Sequence, residues 1–174
     1  MSNYKFSLDP TNSIPAIDYA HHTIHEGKHF TIHNVFELGS LATMNFTFET
    51  KDKYVHAVYS VESGSAGFTM SIYEGATANP DGTLLTSINS HRISQNTSDV
   101  VARLNPTGTD ITGATLLKTT RKGAPGNPSQ RTPGETDRIN EYILKTNTKY
   151  LMRITNLASA ANFIDYLFDW YEEE

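Results

Sequence analysis

The sequence predicts an all-β protein: a single antiparallel β-sandwich, jelly-roll-like, with about ten strands. From Ala16 onward, short segments rich in Thr, Tyr, Phe, Val and Ile alternate with clusters of Gly, Pro, Asn and Ser. Within these segments apolar residues recur at every second position, as expected for strands with one buried face. Patterns typical of helices are nearly absent, and a length of 174 residues suits one domain.

Four segments show the strand alternation most clearly. Their apolar positions are Met44, Phe46 and Phe48, then Phe68, Met70 and Ile72, then Tyr150, Met152 and Ile154, and finally Ile164, Tyr166, Phe168 and Trp170. The positions between them are mostly polar, so each strand is expected to bury one face. Residues 79–82, Asn-Pro-Asp-Gly, predict a tight turn, because Pro presets φ and Gly accepts a positive φ.

Two segments depart from this pattern. Residues 1–15 alternate weakly through Tyr4, Phe6 and Leu8 and then reach prolines, which predicts an N-terminal arm whose three apolar side chains contact a partner. Residues 16–174 are expected to form the sandwich domain. Within this domain, residues 121–137 contain several Gly and Pro and few apolar side chains, which predicts a long surface loop.

Composition excludes several classes of function. The formal charge is -5 and no basic run exceeds the pair Arg121 and Lys122, so nucleic-acid binding is not expected. There is no cysteine, and therefore neither a disulfide nor a thiolate site. The sequence also has no apolar run long enough to span a membrane and no secretory signal pattern near Met1. We therefore expect synthesis in the cytoplasm and no membrane partner.

Residues 25–29 spell the zinc-protease motif H-E-x-x-H, with His25 and His29 as candidate metal ligands. The motif needs a helix, because only there do residues four apart share a face. Gly27 lies inside the motif, and the flanking residues are β-branched or aromatic, which favours strands. We therefore predict a hairpin around residues 26–28 and no metal site.

The wider cluster adds His21, His22 and His33 to this pair. On strands, His21 and His25 would share one face, and His29 and His33 would share a face of the next strand. Two interpretations stay open. The cluster is either a polar, half-exposed hairpin surface or a subunit contact or metal site sensitive to pH near neutrality. In the second interpretation, His21 and His22 belong to the contact surface.

No catalytic constellation emerges from the remaining residues. The sequence has no G-x-S-x-G elbow and no phosphate-binding loop, and Asp165 and Asp169 fall on one strand, whereas glycosidase carboxylates come from different elements. We expect no enzymatic activity and no cofactor. Trp170 and Tyr171, near the end of the last strand, are expected to lie at an interface, because closed association covers surplus aromatic surface.

Several segments together resemble small proteins encoded in the structural modules of tailed phages and prophages, near the capsid genes. They are AIDYAHHTIHEGKHF (16–30), SIYEG (71–75), NSHRISQNT (89–97), NEYILKTNTKYLMRIT (140–155) and DWYE (169–172). The resemblance implies a head decoration, or cement, protein that binds the major capsid protein on the outer surface of the virion, as a homotrimer. The alternative is a glycan-binding or receptor-binding module of the tail or fibre, since sandwiches host both functions.

Overall fold

The computed structural model describes residues 19–64, 67–123 and 141–174. Helix α1 (Tyr19–His25) precedes the strands of this part of the chain. The strands are β1 (His29–Leu38), β2 (Thr43–Glu49), β3 (Tyr54–Ser63), β4 (Phe68–Glu74), β5 (Thr83–Leu85), β6 (Ile88–Asn89), β7 (Val101–Leu104), β8 (Thr115–Lys122), β9 (Tyr142–Leu144), β10 (Lys149–Asn156) and β11 (Asn162–Glu173). They form two antiparallel sheets, so the predicted all-β sandwich is confirmed.

The connectivity is that of a jelly roll with three added strands. The five-stranded sheet has the order β6-β1-β11-β3-β9, and the six-stranded sheet has the order β5-β7-β2-β10-β4-β8. Without β5, β6 and β7, the two remaining groups of strands, β1-β11-β3-β9 and β2-β10-β4-β8, form an eight-stranded jelly roll. Consecutive strands β1 to β4 therefore alternate between the two sheets, and so do the last four strands, β8 to β11.

The core lies between the sheets and contains the apolar positions that the sequence pattern predicts. All thirteen of the positions named for the four clearest strands are buried. Aromatic rings join the two sheets: Phe46 of β2 lies 4.5 Å from Tyr166 of β11, and Phe48 lies 4.6 Å from Phe168, between ring centroids. Burying side chains of this size contributes about 1.5 to 3 kcal/mol each, which makes this seam the main stabilising contact between the sheets.

Two stretches at the sides of the sheets are protected against pairing with other strands: the part of β1 beyond Thr31, where its register with β6 ends, and strand β8. In β1, the side-chain oxygen of Asn34 accepts a hydrogen bond of 3.0 Å from the backbone N–H of Val35. Strand β8 is a sheet edge that carries Lys118 and Arg121, and a β-bulge interrupts its pairing with β4. Capped donors, charged side chains and bulges all discourage edge-to-edge association.

The predicted turn at residues 79–82 is present, since Gly82 has a φ of 80° and Asp81 accepts a 2.7 Å hydrogen bond from the backbone N–H of Thr107. The predicted loop at residues 121–137 begins later than expected, because β8 extends through Lys122. The rest of that prediction, and the predicted arm at residues 1–15 with Tyr4, Phe6 and Leu8, fall outside the described residues.

The core contains one polar group whose removal is expected to stabilise the protein. The Tyr166 hydroxyl is buried and has no hydrogen-bond partner among the described residues, and burial raises the pKa of this side chain well above its usual value. A buried hydroxyl without a partner costs about 1 to 3 kcal/mol. We expect Tyr166→Phe to raise the melting temperature by about 2 to 4 °C per kcal/mol recovered, measured by calorimetry.

Tyr150→Phe is the matched control, because the Tyr150 hydroxyl is satisfied. It accepts a 2.8 Å hydrogen bond from the backbone N–H of Lys145 and donates one of 3.0 Å to Glu74 Oε2. This variant should lower the melting temperature. If Tyr166→Phe also lowered it, the Tyr166 hydroxyl would have to have a bonding partner in the folded protein.

Candidate functional site

The histidine segment folds as a helix followed by a strand. His21, His22 and His25 lie on α1, whereas His29 and His33 lie on β1. The predictions that His21 and His25 share a strand and that residues 26–28 form a hairpin are therefore wrong. The predicted sharing of one face by His29 and His33 agrees with their positions on β1. Packing against the sheet favours the helix, since Thr23 is buried and the rings of Tyr19 and Tyr171 meet edge to face.

Helix α1 ends in a Schellman motif inside the H-E-x-x-H sequence. The backbone N–H of Lys28 donates to the Thr23 carbonyl and that of Gly27 donates to the Ile24 carbonyl, both at 2.9 Å. Gly27 has a φ of 70°, the left-handed conformation that this motif requires. His25 is the last helical residue and His29 is the first residue of β1, so the two histidines do not share the helix on which the zinc-protease chemistry depends.

Gly27→Ala is expected to destabilise the protein by about 2 kcal/mol, because a left-handed alanine costs about 1 kcal/mol and its Cβ would overlap a neighbour. A Cβ at Gly27 would lie 2.3 Å from Ser94 Oγ and 2.9 Å from Ser94 Cβ. Urea unfolding monitored by Trp170 fluorescence would measure the change.

Gly75→Ala provides the control, since Gly75 has a φ of 76° but a Cβ there would meet no atom within 4 Å. This variant isolates the backbone cost of about 1 kcal/mol. Equal losses of stability in the two variants would contradict the close approach of residues 27 and 94.

His29 joins a Ser-His-Asp chain that sequence reasoning missed. Its Nδ1 lies 2.7 Å from Ser90 Oγ and its Nε2 lies 3.3 Å from Asp169 Oδ1. Strand pairing produces this arrangement, because β1 lies between β6 and β11 and places Thr31 opposite both Ile88 and Asp169. No local motif in the sequence could reveal it, since the three residues come from separate parts of the chain.

The groups around Ser90, His29 and Asp169 do not favour acyl transfer by the serine. A nucleophilic serine needs nearby N–H groups that stabilise an oxyanion. The backbone N–H of Ser90 instead donates a 2.9 Å hydrogen bond to the His29 carbonyl, and the His29 side chain is buried. The three side chains therefore fix β1 between its two neighbouring strands, which is a structural role.

His33 lies further along the same face, beside a shallow depression. Its Nε2 is 2.7 Å from Asp165 Oδ1, and these two residues line a space of about 180 Å³ together with Ser60, Glu62 and Leu167. The lining contains carboxylates, an imidazole and one aliphatic side chain. Such a depression can accept a mixed polar and apolar group from another molecule.

Tyr171 is occupied by contacts within the chain. Its ring stacks on His56 with centroids 4.5 Å apart, and its hydroxyl donates a 2.8 Å hydrogen bond to Glu141 Oε1. His56 Nδ1 lies 2.8 Å from the same oxygen. The predicted contact residue Tyr171 thus helps to join β9, β3 and β11, and little of its side chain is exposed.

The prediction that Trp170 lies at a contact surface is wrong. The side chain is 0% exposed and lies in the core, where it stacks between Phe30 and Phe168 with centroids 6.0 and 4.7 Å away. The alternating pattern had placed Trp170 on the core face of its strand, and that prediction is confirmed. Its folded position leaves no surface for another molecule.

Glu172 is a buried carboxylate at one end of the core, where it lines a polar cavity. Its side chain is 2% exposed, and Oε1 accepts hydrogen bonds from Trp170 Nε1 at 3.1 Å and from Ser98 Oγ at 2.5 Å. The cavity above it has a volume of about 420 Å³, and its polar lining includes Lys28, Lys53, Gln95, Asn96, Thr97 and Asp99. Lys53 Nζ pairs with Asp99 Oδ2 at 2.8 Å, so its charge is balanced within the wall.

Exposed apolar side chains concentrate on the outward face of the five-stranded sheet, which we call the apolar face. Of the ten large apolar side chains that are exposed in the described part of the chain, five lie on this face: Val35, Tyr54, Ile88, Ile143 and Phe163. Val35 is 53% exposed and Phe163 is 59% exposed. They occupy diagonal positions on β1 and β11, next to the His33–Asp165 depression.

The outward face of the six-stranded sheet differs in chemistry. Its polar side chains bond to one another: Thr43 Oγ1 lies 2.9 Å from Thr155 Oγ1, and Ser71 Oγ lies 3.0 Å from Thr119 Oγ1. Arg153 Nε also donates a 3.0 Å hydrogen bond to Asn45 Oδ1. These polar groups have protein partners as well as solvent, and two large apolar side chains, Leu84 and Leu116, are exposed on the same sheet.

The two outer faces of the jelly-roll sandwich thus differ in their exposed apolar side chains, five on the five-stranded sheet, among charged residues, and two on the six-stranded sheet. The chain matches no protein-family model, no curated protein and no solved structure. Within the described ranges, no three or more His, Asp or Glu residues are grouped so as to hold a metal ion. In the same ranges, no helix has the length and hydropathy needed to cross a membrane.

Proposed function

We propose that this protein is a structural component of a tailed-phage virion, a decoration or cement protein that binds the major capsid protein and stabilises the shell. The observation that carries this proposal is the apolar face. Val35 and Phe163 are more than half exposed and lie diagonal to each other on neighbouring strands, and adjoining exposed apolar side chains of this kind mark a surface that another protein covers. The resemblance of the five sequence segments to proteins from phage structural modules supplies the kind of partner.

The chemistry of the apolar face suits a protein partner. Val35 and Phe163 can fill pockets, and the neighbouring depression presents His33 and Asp165 at its rim. Interfaces combine apolar anchors with a polar surround in this way. The rigid sheet beneath also holds these side chains in place before binding, which reduces the entropic cost of association.

The fold is compatible with this role without determining it. Jelly rolls occur in viral capsid domains and in lectin domains, so the architecture agrees with both functions considered from the sequence. Association as a homotrimer on the outer capsid surface, with the arm of residues 1–15 contacting a neighbour, remains part of the proposal. Three linked contacts would raise avidity by about 10² to 10⁴ over one.

The alternative function, glycan or receptor binding on the tail, has one supporting observation. The cavity above Glu172 offers amide and charged side chains that could bond sugar hydroxyls. Sugar sites usually add an exposed aromatic ring for stacking, and the one aromatic residue in the lining of this cavity, Phe30, is buried. The apolar face therefore gives capsid binding the stronger support.

A double variant, Val35→Thr with Phe163→Thr, tests the proposal. Threonine keeps the β propensity of both strand positions while removing most of the apolar surface. We expect binding to empty heads of the phage that encodes this chain to weaken by about tenfold or more, since central apolar anchors dominate interface energy. Cosedimentation with purified heads would measure the binding, and the melting temperature should stay nearly unchanged.

The matched control is Leu84→Thr with Leu116→Thr. Leu84 is 58% exposed and Leu116 is similarly exposed, but both lie on the six-stranded sheet. This variant should bind heads as well as the native protein does. Equal binding by both double variants would show that the apolar face is not the contact surface, and absence of binding by the native protein would contradict the proposed function.

A further inference from the structure

Two imidazole nitrogens lie close to each other on the exposed side of α1. His21 and His25 are four residues apart on this helix, and both side chains are exposed. Their Nε2 atoms are 3.1 Å apart, and the ring centroids are 4.8 Å apart. Helical geometry brings these two side chains together, because residues at i and i+4 share one face.

The separation fits coordination of a single transition-metal ion. With Zn–N bonds of about 2.0 to 2.1 Å, two nitrogens at a tetrahedral angle are about 3.3 Å apart. At the right angles preferred by Cu²⁺ or Ni²⁺, the separation falls to about 2.9 Å. The observed 3.1 Å lies between these values. Small side-chain rotations would replace the imidazole–imidazole hydrogen bond by two bonds to an ion.

Of the other five histidines, four have polar or acidic partners of their own, and the fifth, His91, lies in the loop after β6. His29 is buried between Ser90 and Asp169, His33 pairs with Asp165, and His56 pairs with Glu141. His22 lies 3.4 Å from Glu26, on the neighbouring side of the helix. In the part of the chain that the structure describes, His21 and His25 have ring nitrogens within hydrogen-bonding distance of each other.

We propose that His21 and His25 form an exposed bidentate site for one divalent transition ion, Zn²⁺, Ni²⁺ or Cu²⁺, per chain. Two imidazoles supply half of a four-coordinate shell, so water or a donor from a second molecule completes it. The site differs from the H-E-x-x-H motif, because it uses His21 in place of His29 and lacks a general base. It uses none of the five exposed apolar side chains on which the proposed capsid contact rests, so the two proposals can fail separately.

Isothermal titration calorimetry of the full chain with Zn²⁺ or Ni²⁺ tests this site. We expect one ion per chain, and His21→Asn or His25→Asn should each weaken binding by about tenfold or more. The reason is that the second imidazole of a chelating pair binds as an intramolecular ligand at high effective concentration. In NMR spectra, the imidazole resonances of His21 and His25 should shift before those of the other histidines.

His22→Asn and His33→Asn are the controls. Both variants should bind the metal ion with an affinity within about twofold of that of the native protein. The substituted histidines are all exposed, so the four variants should fold normally. Melting temperatures equal to that of the native protein, measured without metal, would verify this. Absence of binding up to about 1 mM ion would overturn the proposal. Unchanged affinity in the His21→Asn and His25→Asn variants would also overturn it, because the ion would then be bound by other residues.

Discussion

Trp170→Ala is expected to lower the free energy of unfolding by about 3 to 5 kcal/mol, the usual cost of removing a fully buried large aromatic side chain. Its ring stacks on Phe168 and Phe30, and its Nε1 donates to Glu172, so truncation removes packing and a hydrogen bond together. Chemical denaturation followed by circular dichroism would measure the loss. The same experiment tests whether Trp170 stabilises the fold or an interface.

Phe163→Ala is the matched control, because it truncates an aromatic residue on the opposite face of the same strand. Phe163 is largely exposed, and its removal should change stability by less than about 1 kcal/mol. A small effect of Trp170→Ala on the monomer, combined with loss of association, would instead restore Trp170 to an interface and contradict the described core.

Glu172→Ala is expected to cost about 3 kcal/mol, because the carboxylate satisfies several buried or half-buried donors at once. The variant would leave Trp170 Nε1 without its acceptor and release Ser98 Oγ and the backbone N–H of Asp99, which lies 3.1 Å from Glu172 Oε1. It would also remove the anchor that holds residues 98–99 against the end of β11. Thermal unfolding should show a fall of about 2 to 4 °C per kcal/mol.

Glu173→Ala is the control for this position, since Glu173 follows on the same strand but its side chain is more exposed. Its ion pair with His56 is long, at 3.6 Å, and its side chain is 31% exposed compared with 2% for Glu172, so its contribution to stability should be smaller. The two variants remove the same charge, so any difference between them measures burial and hydrogen bonding. Similar small effects in both would show that the Glu172 carboxylate is not a structural acceptor.

The fold was predictable because its signal is repeated and local. Alternation through Met44, Phe46 and Phe48, and again through Tyr166, Phe168 and Trp170, reports directly which side of each strand is buried. A strand needs only a few residues of such a pattern. The two-sheet architecture then follows, since every apolar face must be covered.

Helix α1 was missed because its stability depends on contacts that propensity does not report. Seven residues are too few to form a stable helix alone, and β-branched and aromatic residues favour strands. The informative signal was Gly27, placed two residues after His25, where a glycine in the left-handed conformation ends a helix. The same glycine was used to argue against any helix in this segment.

The candidate site was only partly predictable, because strand pairing determines which residues meet. Nothing near His29 indicates Ser90 or Asp169, and the exposure of Val35 and Phe163 depends on the register of β1 with β11. For Trp170, by contrast, the sequence did contain the answer. Its position in the alternating pattern correctly predicted burial, although its aromatic character suggested an interface.

The most direct test of the central claim is a cryo-electron microscopy reconstruction of empty phage heads, purified without this protein and then incubated with it. The account predicts added density on the outer surface of the shell, at a fixed stoichiometry to the major capsid protein, with the five-stranded sheet facing the shell. Heads that gain no density would contradict the account. Density that docks the six-stranded sheet against the shell would contradict the assignment of the apolar face.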